Sequence, residues 1–334
     1  MTHAESWILS YLVNALWQVP LLCAVGWLAA RALRPLSITA EHRAWVTVLA
    51  LQTLLPALST IPVEWLRTVL SRTVLLWFAR PVQPAPGGNV FVVLGPGAAV
   101  SGFHLPAPLL TITAGAYAAI TGYFLAHFVM RCMRLASIRR HSTKLALSPS
   151  QQECFARSQH DFEVENISLC TTEALRVPVT LGLTRSLILL PASLVPALSD
   201  ADFRTVIEHE LAHIRRRDFA RNLIYELLSL PISYHPMLHL TRERITETRE
   251  MICDQLAAEH AGPIEYGRSL LRLASLLVKG PPVRGLHAIG IFDSNTLERR
   301  LMRLKQNRTT TQGALRFALI TACALLTLAT CAWA

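Results

Sequence analysis

The chain has 334 residues, of which 52% are hydrophobic and only 16% charged, so it is too apolar for an average soluble domain and too charged to lie wholly in lipid. Its 32 Lys and Arg residues exceed its 22 Asp and Glu residues. These basic residues cluster beside apolar runs, and no basic stripe is interleaved with aromatic residues, which argues against direct binding of nucleic acid. We therefore expect a protein with both membrane-spanning and aqueous parts.

Four apolar runs are long enough to cross a bilayer as helices, at residues 7–30, 44–62, 108–130 and 315–333. The first run competes with a cleavable signal peptide, but it is long and no basic region precedes it, so we interpret it as a retained span. The predicted organisation is transmembrane helices 1 and 2 in 1–62, an external loop at 63–107, transmembrane helix 3 at 108–131, a cytosolic domain at 132–312 and transmembrane helix 4 at 313–334.

Basic residues beside these runs predict their orientation. They are grouped at Arg31 to Arg43, at Arg131 to Lys144 and at Arg299 to Arg308. With four spans all three groups face one side, which the positive-inside rule makes cytosolic, so the N-terminus is expected outside. The apolar stretch 63–79 is interrupted by charges, and we interpret it as interfacial or re-entrant; a fifth span there would invert the topology.

A hydrolytic motif lies in the middle of the predicted cytosolic domain, where residues 206–218 read V-I-E-H-E-L-A-H-I-R-R-R-D. His209 and His213 are four residues apart, so a helix puts both imidazoles on one face, as two ligands of one zinc ion require. Glu210 beside them is placed to take a proton from the attacking water and pass it to the leaving amine. The alternative is a surface helix with two unpaired histidines.

A third metal ligand is expected from the acidic helix predicted at 242–254. Its acidic residues recur on one face, and for Glu243 and Glu247 we prefer a solvated helix face as the interpretation. Glu250 followed by Asp254 differs, because an E-x-x-x-D helix can ligate zinc through its Glu while the Asp one turn later accepts an imidazole N–H.

Local patterns also predict the elements around the motif. Ser199, with Asp202 three residues later, marks the start of the motif helix. Before it, the β-prone segments 177–183 and 187–190 predict a hairpin, which can be structural or can offer an edge strand to an extended substrate.

After the motif helix, the segment 223–240 is apolar but broken by prolines, so we expect a helix packed on the domain or in the membrane interface. Candidate oxyanion donors there are Tyr234, His235 and His239.

These residues resemble the BlaR/MecR-type membrane zinc peptidases, a bacterial family that includes β-lactam sensor-transducers. The resemblance runs through H-E-L-A-H-I-R-R-R-D at 209–218, Y-H-P at 234–236, E-M-I-C-D at 250–254, P-V-T-L-G-L-T-R-S-L-I-L-L-P at 178–191 and L-E-R-R-L-M-R-L at 297–304. Together with the span layout it covers nearly the whole chain. The antibiotic-sensing members carry an external penicillin-binding domain after the last span, and this sequence ends at Ala334 without one. Either the sequence is truncated before such a domain, or this member senses through its external loop, through a separate partner or not at all, so we infer no β-lactam recognition.

Carried over by position, the resemblance implies Zn²⁺ as cofactor, with His209, His213 and Glu250 as ligands, Glu210 as catalytic base, and Asp254 and Asp218 supporting the ligands. The implied fold is mainly α: four transmembrane helices with an inserted cytosolic zincin-like α+β metalloprotease domain of the gluzincin type, in the bacterial cytoplasmic membrane. The implied partners are the lipid bilayer and a protein substrate, either a cytosolic transcriptional repressor or the protein itself by autocleavage. A homodimer is left open.

Three rival functions remain. A CAAX-type or housekeeping membrane zinc protease uses similar chemistry, and substrate profiling separates the two. Intramembrane proteolysis is disfavoured, because the charges from Arg215 to Asp218 directly after the motif would be costly in hydrocarbon. A transmembrane transducer with a structural zinc is disfavoured by Glu210, because a structural site needs no base.

Overall fold

The computed structural model describes residues 3–58 and 106–278, together with Arg300 and Met302. This part of the chain is mostly helical and contains one small sheet. The helices are α1 His3–Leu33, α2 Ile38–Leu58, α3 Ala107–His141, α4 Pro149–Asp161, α5 Asp200–Arg215, α6 Asp218–Ser229, α7 Pro236–Ala261 and α8 Pro263–Val278. The strands are β1 Thr143–Lys144, β2 Ser168–Thr172, β3 Val179–Leu181 and β4 Leu187–Pro191, with 3₁₀ turns at Val195–Ala197 and Leu230–Ile232.

The chain divides into two compact units. Among the described residues, the first unit consists of 3–58, 106–127 and 227–245, and the second of 128–226 and 246–278 with Arg300 and Met302. The second unit contains every residue that the sequence predicts for the metal site. The predicted domain limits, including the start of a cytosolic domain at residue 132, stay predictions.

In the first unit α1 and α2 pack against each other. Gly26 lies at a close approach between them, because a Cβ at this position would collide with Cγ2 of Val48. The Gln52 side-chain nitrogen donates to the backbone carbonyl of Val19 at 3.2 Å. Gly26 thus allows the two helices to approach closely, and the buried amide nitrogen of Gln52 finds a hydrogen-bond acceptor on the facing helix.

Two of the described helices are long and apolar enough to cross a membrane, over Trp7–Leu33 and Pro108–His141. They contain the first and third predicted spans. α2 contains most of the second predicted span but is not one of the two, and its first turn carries Glu41. The fourth predicted span and nearly all of the predicted external loop lie outside the described residues, so the number of four spans stays a prediction.

The second unit is built around a sheet with the strand order β1-β2-β4-β3. β4 is buried along its whole length, runs parallel to β2 and pairs antiparallel with β3. Ile188 belongs to an apolar cluster with Ile207 of α5, whereas its neighbour Leu189 belongs to a second cluster with Ile138 of α3. Burial on both faces explains why the β4 sequence is apolar throughout instead of alternating. The predicted hairpin is confirmed, and β3 is its outer strand.

The motif helix α5 begins where the sequence predicts. Ser199 is its N-cap, and the Ser199 hydroxyl accepts a hydrogen bond from the backbone N–H of Asp202 at 3.2 Å. Phe203, Ile207 and Leu211 are buried in the core beside the sheet. Because these positions recur every fourth residue, they form one stripe of the helix and hold α5 in a defined rotation.

The segment between α6 and α7 breaks as its prolines predict. Pro231 lies in a 3₁₀ turn and Pro236 is the first residue of α7. The interpretation of α7's acidic residues as a solvated face holds for Glu243, which is exposed, and is wrong for Glu247, which is 7% exposed. Charge alternation along a helix does not show which face packs inward, and here the inward face includes acidic residues.

Candidate metal centre

The two imidazoles of the α5 motif meet edge to face in the interior of the second unit. The Nε2 atoms of His209 and His213 are 3.3 Å apart. His209 is buried and the His213 side chain is 11% exposed. The four-residue spacing on one helix face explains this proximity, as the sequence predicts.

The other ring nitrogens face acidic or hydroxyl groups. Nδ1 of His209 lies 3.0 Å from the Tyr266 hydroxyl and 3.3 Å from Oδ1 of Asp254. Nδ1 of His213 lies 2.9 Å from Oδ2 of Asp218. Ionised carboxylates only accept hydrogen bonds, so each Nδ1 carries a proton and Nε2 is the nitrogen left to bind a metal. In neutral imidazoles held this way, both Nε2 atoms would present lone pairs that can share one ion.

Glu250 of α7 completes the group. Its Oε2 atom lies 3.5 Å from Nε2 of His209 and 3.8 Å from Nε2 of His213. Its Oε1 atom accepts from the guanidinium of Arg249 at 3.0 and 3.2 Å, whereas Oε2 is buried without a hydrogen-bond partner. Arg249 thereby leaves the unpaired oxygen facing the imidazoles.

The three converging atoms fit a tetrahedral zinc ion. Zinc bonds to nitrogen and oxygen are about 2.0–2.1 Å long, so neighbouring ligand atoms in a tetrahedron are about 3.4 Å apart. The separations between the two Nε2 atoms and Oε2 of Glu250 are 3.3, 3.5 and 3.8 Å. An orphaned buried carboxylate oxygen and two converging imidazole lone pairs form the donor set that zinc prefers, with one position left for water.

A second cluster shares His213 through its other nitrogen. Nδ1 of His213, Oδ2 of Asp218 and Sγ of Cys253 also lie close enough to hold an ion. We interpret this cluster as a hydrogen-bond network, because the contacts are 2.9–3.4 Å and Asp218 also pairs with Arg216 at 3.1 Å. Burial raises the pKa of the Cys253 thiol to about 11, so it stays protonated and donates to Asp218.

Electrostatics keep the carboxylate of Glu250 ionised. Burial by itself raises the pKa of Glu250, but the facing imidazoles of His213 and His209 and the charge of Arg249 together lower it well below its usual value. The carboxylate is therefore charged at neutral pH, as a metal ligand would have to be.

Glu210 points toward the sheet edge. It is 3% exposed, and its Oε2 atom accepts a hydrogen bond from the hydroxyl of Thr180 at 2.6 Å. Thr180 is the central residue of β3, the outer strand of the sheet. The structure thus brings the predicted base, the predicted ligands and an edge strand into one unit.

Three supporting residues were not predicted for the site from the sequence. Tyr266 belongs to no motif. Thr180 lies in the predicted hairpin segment 178–191, and Arg300 lies in the segment 297–304, which we interpreted as a topology signal, but neither residue was assigned to the site. In the structure Tyr266 donates to Oδ1 of Asp254 at 2.7 Å, and Arg300 is buried against the same carboxylate. Their positions follow from packing between segments far apart in the chain, which local patterns do not encode.

The predicted oxyanion donors belong to the first compact unit. Tyr234 belongs to the first unit, where its ring contacts that of Tyr117 edge to face with the ring centroids 6.1 Å apart. Tyr117 in turn donates to the carbonyl of Pro231 at 3.1 Å. A role for Tyr234, His235 or His239 in the chemistry stays a prediction.

Comparison with known proteins shows the family of the chain. The sequence profile described as BlaR1 peptidase M56 matches residues 13–304, which is most of the chain. The chain belongs to the BlaR1 peptidase M56 family. This membership confirms the resemblance derived from the motifs and makes the chain a member of a peptidase family.

Curated relatives in the family are distant. The methicillin resistance MecR1 protein of Staphylococcus aureus is 23% identical over 180 residues, covering 52% of this chain and 30% of the relative. The regulatory protein BlaR1 of Staphylococcus aureus is 26% identical over 102 residues, 30% of this chain and 17% of the relative. BlaR1 of Bacillus licheniformis is 27% identical over 116 residues, 34% of this chain and 19% of the relative. The matched part is thus less than a third of each relative's length.

Proposed function

We propose that the chain is an integral membrane zinc metalloendopeptidase of the gluzincin type, acting on the cytosolic side of a bacterial cytoplasmic membrane. The observation that carries the proposal is the convergence of three buried donor atoms within 3.8 Å of one another, beside a glutamate that follows the first imidazole in sequence. His209, His213 and Glu250 are the proposed zinc ligands. Asp254 and Asp218 orient the imidazoles through their Nδ1 atoms.

The chain's own residues supply proton transfer. A zinc ion held by His209, His213 and Glu250 would supply a Lewis acid that polarises the scissile carbonyl and acidifies water. Glu210 takes the proton of the attacking water and returns it to the leaving amine. Its carboxylate is held by the Thr180 hydroxyl at 2.6 Å, so the base is oriented before the substrate arrives.

An extended peptide is the proposed substrate conformation. β3 is the outer strand of the sheet, and Thr180 ties its centre to Glu210. A peptide that pairs with β3 through main-chain hydrogen bonds therefore passes beside the proposed base. Main-chain pairing of this kind requires an extended backbone, so a folded target must first offer an extended segment.

Membrane insertion is supported by the long apolar helices. α3 carries exposed apolar side chains along its length, as expected for contact with lipid: Ile112, Leu125, Val129 and Met130. Its last turn is basic, with Arg139 and Arg140, which favours a cytosolic end under the positive-inside rule. We propose a role in signal transduction, with a cytosolic transcriptional repressor or the chain itself as substrate.

Glu210→Gln tests this function against that of a transducer with a structural zinc. We expect the purified full-length variant to retain one zinc per chain, measured by elemental analysis, and to lose cleavage of itself and of an unstructured peptide library, measured by mass spectrometry. Glu243→Gln, at an exposed position of α7, is the matched control and should keep both properties. Cleavage that persists in Glu210→Gln, or wild-type protein without stoichiometric zinc, contradicts the proposal.

A further inference from the structure

Arg300 is enclosed within the second unit, although it comes from the chain beyond the end of α8. Arg300 is 1% exposed. Its guanidinium donates two hydrogen bonds of 2.6 Å to Asp254 of α7, one from Nε to Oδ2 and one from a terminal nitrogen to Oδ1. A fully buried arginine is rare, because its charge must be compensated in the interior. The bidentate geometry with Asp254 provides that compensation.

The carboxylate that Arg300 binds also faces the metal centre. Oδ1 of Asp254 lies 3.3 Å from Nδ1 of His209 and accepts from the Tyr266 hydroxyl at 2.7 Å. The Tyr266 oxygen lies 3.0 Å from the same Nδ1. Since Tyr266 gives its proton to Asp254, its oxygen is free to accept from His209. Both neighbours of Nδ1 are therefore acceptors, which keeps the proton on Nδ1 and the lone pair on Nε2.

This arrangement depends on how Arg300 binds Asp254. The two hydrogen bonds from Arg300 engage both carboxylate oxygens of Asp254, so they fix the orientation of the group that faces Nδ1 of His209. Without Arg300 the carboxylate would be free to rotate, and the ring orientation of His209 would no longer be unique.

We propose that Arg300 is a positioning residue of the zinc site: it acts through Asp254 to hold His209 in the tautomer and orientation that bind the metal. The inference rests on the proposed function and extends it. A segment that precedes the predicted fourth span thereby becomes necessary for full metal affinity, although Arg300 itself does not touch the ion.

The alternative is that Arg300 only stabilises the fold, and the unit contains a second arginine–aspartate pair for comparison, in which the arginine side chain is 50% exposed. Arg272 of α8 makes a two-nitrogen contact with Oδ1 of Asp202, at 2.8 and 3.1 Å. Asp202 lies in the first turn of α5, two turns before His209. Breaking this pair loosens the same unit at a carboxylate that does not support an imidazole.

The test measures zinc affinity and cobalt absorption of the full-length protein in detergent. Zinc dissociation constants come from chelator competition, and the visible absorption of the Co²⁺-substituted protein reports ligand geometry. For Arg300→Met we expect a 10- to 100-fold weaker zinc affinity and an altered Co²⁺ spectrum, as for other residues that orient metal ligands. Arg300→Lys should recover part of the affinity. Arg272→Met should lower the melting temperature while leaving zinc affinity and spectrum unchanged.

A double-mutant cycle with Asp254→Asn gives the decisive comparison. If Arg300 acts through Asp254, Arg300→Met should add less than a threefold further loss of zinc affinity in the Asp254→Asn background. The double variant removes both charges of the buried pair, so it remains measurable even if Arg300→Met alone fails to fold.

Three outcomes overturn the inference. If Arg300→Met and Arg300→Lys both keep the wild-type zinc affinity and Co²⁺ spectrum, Arg300 only stabilises the fold. Fully additive losses in the cycle show that it acts without Asp254. Wild-type protein that binds no zinc overturns the proposed function, and this inference with it, whereas the first two outcomes leave that function intact.

Discussion

The two imidazoles of the candidate metal centre are supported in opposite ways. His213 contacts Asp218, five residues later in the chain, which also binds Arg216. His209 contacts Asp254 and Tyr266 from two other helices, and behind them lies Arg300. The carboxylate that supports His213 therefore comes from the same stretch of chain, although Cys253 of α7 also contacts it, whereas the support of His209 comes entirely from long-range packing of fully buried polar groups.

This difference has a physical consequence. A local contact forms whenever α5 and the residues after it adopt their conformation, with Arg217 at a positive φ of 55° where the chain turns into α6. The long-range side forms only when α5, α7, α8 and the segment of Arg300 are all in place. We expect damage to the two sides to differ in size, and the predictions follow in order of expected effect.

The largest effect is expected where both sides meet, at Glu250. Glu250→Gln replaces the charged donor by a neutral amide, and we expect zinc affinity to fall by about 10³-fold or more, because a structural or catalytic zinc site rarely tolerates the loss of one of three protein ligands. Chelator competition measures the loss, and Glu243→Gln is the control. An unchanged zinc content in Glu250→Gln would remove this residue from the ligand set.

The next effect compares the two supporting carboxylates directly. We expect Asp254→Asn to weaken zinc affinity by about 10- to 100-fold, and Asp218→Asn by about tenfold or less. Asp254 is 1% exposed and is bound by the buried Arg300, so Asp254→Asn disturbs a fully buried charge pair. Asp218 lies beside Arg216 and Cys253, which stay next to His213 when the carboxylate is replaced. Equal losses in the two variants would show that the local and long-range sides contribute alike.

A smaller effect is expected at the proposed base. Thr180→Val removes the hydroxyl that donates to Glu210 at 2.6 Å, so we expect kcat/KM to fall about tenfold while zinc affinity stays unchanged. Thr180→Ser keeps the hydroxyl and should retain most activity. Peptide cleavage assays with both variants measure the difference, and a full loss of zinc in Thr180→Val would assign Thr180 to the fold instead.

The last prediction concerns the stability of the metal-free protein, which should depend on pH in acid. Burial raises the pKa of Asp218, but His213 and Arg216 outweigh it and lower that pKa to about 2, from 3.8. A folded-state pKa below the unfolded value means that ionised Asp218 stabilises the metal-free fold above about pH 4, by about 2 kcal/mol, and that this is lost as the pH falls toward 2.

Denaturant unfolding of the metal-free protein between pH 5 and pH 2 checks this dependence. We expect Asp218→Asn to be less stable than the wild type at pH 5 and nearly equal to it at pH 2. Two stability curves that run parallel over this range would rule out the proposed contribution of Asp218.

Part of the site could be predicted because it follows from local geometry. The spacing of His209 and His213 places both rings on one helical face whatever the rest of the chain does. Ser199 predicts the start of α5 because an N-cap side chain bonds within its own turn. The hairpin of β3 and β4 likewise follows from two short β-prone runs and the turn between them.

Other features depend on contacts between segments that local patterns do not connect. The sequence alone determined the metal motif, its helix and its family. Only the tertiary structure decided that Glu247 faces inward, that Thr180 binds Glu210, and that Arg300 is buried against Asp254. The physical reason is that helical periodicity is set within one turn, whereas the burial of a charge depends on which partner the packed fold brings to it.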